Sequence, residues 1–195
     1  MKKKNKVLTI PNNNELVIEL QKENYRSKYK RILKSTISIL IIVIAVSSLV
    51  ATLIFPVLEI HGNSMSPTLT EGNIVLCIKK NKFERGDIIA FYYNNRILVK
   101  RVIATSSDWV NIDDKGNIFV NDKLLKEPYV KQKELGEYDI EFPYQVAENS
   151  YFVLGDERGN SIDSRNSLIG TISNEEIIGR VILKVWPIKE FKIFK

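Results

Sequence analysis

Residues Ile97-Leu98-Val99-Lys100-Arg101-Val102-Ile103-Ala104 form an apolar, β-branched run broken by two adjacent cations. The run is short and rich in strand formers, so it reads as a β-strand. Successive strand side chains point to opposite faces, so Lys100 or Arg101 points inward unless the strand lies at a sheet edge. Two readings follow. A lysine on an edge guards the strand against unwanted pairing. A lysine turned inward is an ammonium whose pKa falls with desolvation, until the amine is neutral near physiological pH and can act as a base.

Similar runs lie on both sides of this one: Ile74–Ile78, Asp87–Tyr92, Trp109–Ile112, Ile118–Val120, Tyr151–Leu154 and Gly179–Trp186. Asp113-Asp114-Lys115-Gly116-Asn117 reads as a hairpin turn, with Gly116 supplying a positive φ. It does not read as a calcium loop, because Lys115 occupies a ligand position and no correctly spaced Glu follows. Ser173 and Glu176 have the spacing of a capping box for a helical turn over Ser173–Ile177. Residues 59–195 are therefore expected to form a mainly β domain, large enough for its own core.

Ahead of this domain, Ser35 to Leu58 contains no charged residue. Its 24 residues would span about 36 Å as a helix, enough to cross a hydrocarbon core of about 30 Å. The run is longer than the apolar part of a cleavable signal peptide and begins far from the start of the chain, so it reads as a permanent anchor. Lys22, Arg26, Lys28, Lys30, Arg31 and Lys34 precede it, whereas Glu59 follows and no Lys or Arg occurs again until Lys79. The positive-inside rule then gives a single-pass plasma-membrane protein with residues 1–34 in the cytoplasm, 35–58 in the bilayer and 59–195 outside. The tail is basic enough for membrane lipids to be expected partners.

Charge and composition exclude other classes. The first 34 residues hold ten Lys/Arg and three Glu; the remaining 161 hold 19 basic and 20 acidic side chains. The net charge of +6 thus belongs to the tail, and the body has no basic stripe for nucleic acid. A single Cys (Cys77) and a single His (His61) cannot form a disulfide or the usual zinc site, so no metal or cofactor is expected. Cys77 sits in an apolar strand and reads as a buried, inert thiol.

Two polar segments interrupt the strands. His61-Gly62-Asn63-Ser64-Met65-Ser66-Pro67-Thr68-Leu69 can present a serine hydroxyl, with its own backbone N–H, on a tight turn. Leu154 to Arg165 (LGDERGNSIDSR) is too polar for a core strand and too long for a plain turn. In an extended segment Ser161, Asp163 and Arg165 would share one side. Ser161 could then hydrogen-bond the Lys100 amine, and Asp163 could pair with Arg101 or Arg165. Ser27-Lys28-Tyr29-Lys30 formally matches the Ser-x-x-Lys pattern, but it lies in the short basic tail on the cytoplasmic side and carries no catalytic reading.

Taken together, the segments resemble bacterial type I signal peptidases, of the short form found in Gram-positive organisms. The family's S-M-x-P-T-L signature stands here as Ser64 to Leu69, its R-G-D strand as Arg85-Gly86-Asp87, and its K-R pair as Lys100-Arg101. Its G-D-x-R-x-N-S-x-D-S-R loop runs from Gly155 to Arg165, and the likeness continues through Asn121–Tyr129 and Glu148–Asp156. The resemblance implies a signal-peptidase or repressor-autoprotease-like β domain behind one transmembrane helix.

It also implies a serine endopeptidase that cleaves the signal peptides of preproteins. Ser64 would be the nucleophile, Lys100 the general base, and the Ser64 backbone N–H one arm of the oxyanion hole. Ser161 would orient Lys100, while Arg101, Asp156, Asp163 and Arg165 would support the site. Met65 and the strand residues Ile97, Leu98 and Val99 would receive substrate, with Met65 also a candidate for touching lipid. Gly62 stands where some members carry a second oxyanion donor, and Glu157 and Gly159 depart from the commonest loop. Alternatives are a peptidase dedicated to a few surface proteins, a signal-peptidase-like assembly factor that has lost the dyad, or a self-cleaving repressor.

Overall fold

The computed structural model describes residues 12–194, which leaves the first eleven residues of the basic tail outside the account. Two compact units divide the chain between Val50 and Ala51.

The first unit is dominated by α1 (Asn13–Ile54), a single 42-residue helix. Its apolar part is long enough to cross a membrane, and the basic segment ahead of it continues the same helix. Thr36 returns its hydroxyl proton to the Ile32 carbonyl (2.9 Å), so this polar group is satisfied without water. The helix ends earlier than the apolar composition suggested. Pro56 lacks an N–H and disfavours helical backbone at Phe55. Val57 and Leu58 belong instead to β1 (Val57–Glu59), paired antiparallel with β2 (Ile74–Ile78).

The second unit carries two sheets. The remaining strands are β3 (Ile88–Tyr93), β4 (Arg96–Ala104), β5 (Trp109–Ile112), β6 (Ile118–Val120), β7 (Lys123–Leu124), β8 (Tyr144–Gln145), β9 (Ser150–Leu154), β10 (Ile172–Ser173), β11 (Ile177–Trp186) and β12 (Lys192–Ile193). The larger sheet runs β1-β2-β11-β3-β4-β9-β10, with β12 added beside β11. The smaller runs β7-β6-β5-β8. All pairings are antiparallel.

Turn chemistry fixes the hairpins. Asn94 and Asn95 both adopt positive φ (43° and 61°) between β3 and β4, the conformation a two-residue hairpin needs to match strand twist. Between β5 and β6, Gly116 has φ 73°, and the Asp113 carboxylate accepts from the N–H groups of Lys115 and Asn117. The capping box is present around a short 3-10 turn, Asn174–Glu176: Glu176 accepts from the Ser173 N–H (2.8 Å).

Strand β3 separates two cores. Ile88 and Ala90 pack with Met65, Leu69, Val75, Cys77 and Val181, whereas Ile89 and Phe91 pack with Val102, Val153 and Ile172. A third cluster joins the ends of β4 and β9 to the smaller sheet through Ile103, Phe152, Val110 and Ile118. Both faces of the β3–β4 pair are covered, so Lys100 takes the inward position of the second reading, and Arg101 is turned inward as well. Lys100 shares the face of its cross-strand partner Ile89 and Arg101 that of Ile88; both cations are buried.

Cys77 is fully buried in the first core, and desolvation pushes its thiol to about 12. Iodoacetamide at pH 8 is expected to leave Cys77 unmodified in the folded protein and to alkylate it after denaturation. Mass spectrometry of the intact chain would read the difference.

Candidate active site

The Ser64 segment bridges β1 and β2. Its ends are closed by the Ile60 N–H to the Asn73 carbonyl and the Gly72 N–H to the Ile60 carbonyl, 2.8 and 2.9 Å. Met65 and Leu69 sink into the first core and pin the turn from below. Met65 is 2% exposed, so it is floor rather than lipid contact. Gly62 takes φ 80°, which lets the chain reverse just before Ser64.

Lys100 reaches this turn from β4. Its Nζ lies 2.6 Å from Ser64 Oγ, and that is the only hydrogen bond the amine makes among the described residues. Lys100 is 3% exposed, and burial pushes its ammonium down to about 8. The carboxylates of Asp163 and Asp156 pull in the opposite direction, while the Arg165 guanidinium adds to the lowering. Desolvation wins because none of these charges touches the amine directly.

Three arginine–carboxylate pairs hold the walls. Arg101 grips Asp156 through Nε (2.8 Å) and a terminal nitrogen (2.6 Å). It also donates to the Gly86 carbonyl (2.9 Å) and lies over the Tyr129 ring at 3.9 Å. The Thr68 hydroxyl donates to Asp156 (2.5 Å) and accepts from Arg101, so the Ser64 turn is fastened to the same pair. Arg165 binds Asp163 at 2.8 and 2.9 Å, and Asp163 accepts the Gly155 N–H at 3.0 Å. Arg158 closes on both oxygens of Glu127 and donates to the Gly155 carbonyl at 3.0 Å. Each cation has a near-buried carboxylate and further acceptors, the condition under which a buried ion pair can hold shape.

The loop from Gly155 to Arg165 therefore presents backbone as much as side chains to the site. The Glu157 N–H donates to the Ser64 carbonyl at 3.1 Å. Gly155 lies so close to Ser64 that a Cβ there would stand 2.5 Å from the Ser64 carbonyl oxygen and would also strike Ser161 Oγ. Gly159, one of the two departures from the commonest loop, leaves room for the Glu134 carboxylate, which occupies the space a side chain would take.

The structure thus brings Ser64 and Lys100 together, with Arg101, Asp156, Asp163 and Arg165 around them. Asp163 takes Arg165, and Arg101 takes Asp156. Ser161 differs from expectation: its hydroxyl is buried against Gly155 and makes no hydrogen bond, to Lys100 or to any other described group. Ile97, Leu98 and Val99, with Met65 beneath, line a cavity of about 620 Å³ that opens onto Ser64 and Lys100. Sequence reasoning missed Thr68, Glu127, Tyr129 and Arg158. The last three are charged or aromatic residues with no local pattern around them, and only their partners, about 30 residues away, reveal a role.

A family model described as signal peptidase, peptidase S26, matches residues 32–186. The chain belongs to this family. Signal peptidase I U of Bacillus subtilis is 36% identical over 179 residues, which cover 85% of this chain and 94% of that protein. Signal peptidase I S of the same organism is 33% identical over 178 residues, with 85% and 95% covered. A crystal structure of a signal peptidase I from Enterococcus faecalis, 29% identical, aligns with 51% of this chain and 96% of its own at a TM-score of 0.44. The chain is an enzyme of the type I signal peptidase kind, and the Ser64 turn, the Lys100 strand and the 155–165 loop all lie within the matched region.

Burying Lys100 costs the signal peptidase stability. Its pKa falls from 10.5 to about 8 on folding, so the unfolded chain binds more protons between those values. Stability therefore rises with pH across that window, and below it the penalty is about 3 kcal/mol. Lys100→Met should melt higher than wild type at pH 7, with the gain shrinking toward pH 10.5 in calorimetric scans. Gly155→Ala should keep its fold yet lower kcat on the order of 100-fold, because the Ser64 backbone must move. Steady-state cleavage beside a melting curve would check it.

Proposed function

We propose that this chain is a membrane-anchored serine endopeptidase that removes signal peptides from secreted preproteins by a Ser64–Lys100 dyad. The observation that carries the reading is the 2.6 Å contact between Ser64 Oγ and an amine whose charge is disfavoured by burial. With Lys100 neutral, the Ser64 hydroxyl donates its proton to the amine lone pair as Oγ attacks the scissile carbonyl. The Ser64 backbone N–H offers one donor to the developing oxyanion, a type of contact worth about 3–4 kcal/mol. As the C–N bond breaks, protonated Lys100 gives its proton to the leaving amine. The neutral amine then takes a proton from water as the water attacks the acyl ester, and Lys100 returns that proton to Oγ as the ester bond breaks, which frees Ser64.

The substrate is an extended segment with small side chains one and three positions before the scissile bond. It would add to β4 as a further strand. Strand β9 pairs with β4 only from Arg101 onward, so the stretch from Ile97 to Val99 keeps one edge open beside the dyad. The helix α1 would confine enzyme and substrate to one bilayer, raising their effective concentration. The basic residues before its apolar part would lie in the cytoplasm and the β domain outside. Membrane lipids and signal peptides are then the partners, and no nucleic acid or metal enters the scheme. The intact dyad favours this reading over a non-catalytic assembly factor, and a dedicated peptidase would use the same chemistry on fewer substrates.

The test is cleavage of a model preprotein by the full chain in detergent. Wild type should cut, chelator should have no effect, and Ser64→Ala and Lys100→Ala should be inactive. Because the active base is the neutral amine, kcat/KM should climb about tenfold per pH unit up to about pH 8 and then level off. Robust cleavage by either variant, or loss with chelator, would refute the dyad.

A further inference from the structure

Two cavities meet at the dyad, the one described and a second of about 590 Å³ walled by Tyr93, Ile162 and Ile169. Both are also lined by Arg96. This residue opens β4 at the base of the Asn94-Asn95 turn, opposite Tyr93, so its backbone is fixed by the hairpin. Its guanidinium is exposed and has no carboxylate or other hydrogen-bond partner among the described residues. It differs in this from Arg101, Arg158 and Arg165, each of which is paired.

The register of β4 says what Arg96 faces. Val102 directs its N–H and C=O toward the β3 side, to Asp87 and Gly86. Backbone groups alternate along a strand, so Ile97 and Val99 direct theirs toward the open edge. Side chains alternate as well, which places Arg96, Leu98 and Lys100 on one face. An added peptide strand repeats that alternation. With its small residues one and three before the scissile bond on the face of Lys100 and Leu98, its fifth residue before the bond comes level with Arg96. Lys100 lies four steps along β4 from Arg96, about 13 Å, which matches the four steps from the first to the fifth peptide position.

We propose that Arg96 forms a subsite for an acidic side chain five residues before the scissile bond. This rests on the peptidase reading above and adds a charge preference to it. The occupant is a carboxylate, because the site offers an unpaired guanidinium and the narrower cavity contains no Asp or Glu. Glu59 lines the wider cavity without pairing with Arg96, and it leaves that guanidinium available.

The experiment uses the full chain in detergent and peptides that differ only in carrying Glu, Gln or Lys at the fifth or at the fourth position before the bond. The readout is the ratio of kcat/KM for the Glu and Lys peptides within each enzyme, so a general loss of activity in a variant cancels. Wild type should prefer Glu at the fifth position by about threefold to tenfold at low salt, and less at high salt. Arg96→Gln should bring the ratio near one, and Arg96→Glu should invert it. A stronger charge effect at the fourth position, or an equal ratio in wild type and Arg96→Glu, would overturn the subsite. If wild type cuts no Gln peptide, the peptidase reading falls and the subsite with it; if it cuts that peptide without charge preference, the subsite alone falls.

Discussion

The site depends on removing one amine from water without giving it a counter-ion. Lys100 is walled in by the β3–β4 face, and the nearest polar atom is a neutral hydroxyl rather than a carboxylate. A direct Asp or Glu partner would hold the ammonium charged and abolish its basicity. The carboxylates in the neighbourhood are each taken by an arginine: Asp156 by Arg101 and Asp163 by Arg165. Their fields reach Lys100, but their lone pairs are spent on guanidinium groups. The arginines thus do two things at once, bracing the loop and neutralising anions that would otherwise favour the charged form of Lys100.

Backbone proximity is the second constraint. The Ser64 turn and the 155–165 loop touch through main-chain atoms, the Glu157 N–H against the Ser64 carbonyl, with Gly155 beside them. Such contacts need no side-chain chemistry beyond the absence of a Cβ. This explains why positions 157 and 159 can depart from the commonest family loop while the three pairs remain. The Glu157 side chain makes no hydrogen bond in the site, and Gly159 is matched by Glu134 from a separate loop.

Much of this was legible in the residues themselves. The runs that became β2, β4, β5 and β6 announce themselves by β-branched content, and the turns by Asp113 and Gly116. The two-residue strands β7, β8, β10 and β12 have no periodicity to detect. Strand β1 was hidden because Val57 and Leu58 continue the apolar composition of α1, and lipid-facing and strand-pairing valines look alike. At the site, the Lys100–Arg101 doublet signalled an oddity. Its resolution needed the second layer of packing, which covers both faces of the strand. Ser161 shows the limit of alternation arguments: the loop turns through a 3-10 segment, Arg158–Asn160, and does not run extended ahead of it.

The bonds around Ser64 and Lys100 also join distant parts of the chain. Ser64 meets Lys100 across 36 residues, Arg101 meets Asp156 across 55, and Thr68 meets the same Asp156 across 88. Contacts of that span form late, after the local hairpins. A newly made chain therefore carries Ser64 near the beginning of the domain, and the surroundings that bury Lys100 stay incomplete until Asp156, Asp163 and Arg165 have emerged and docked.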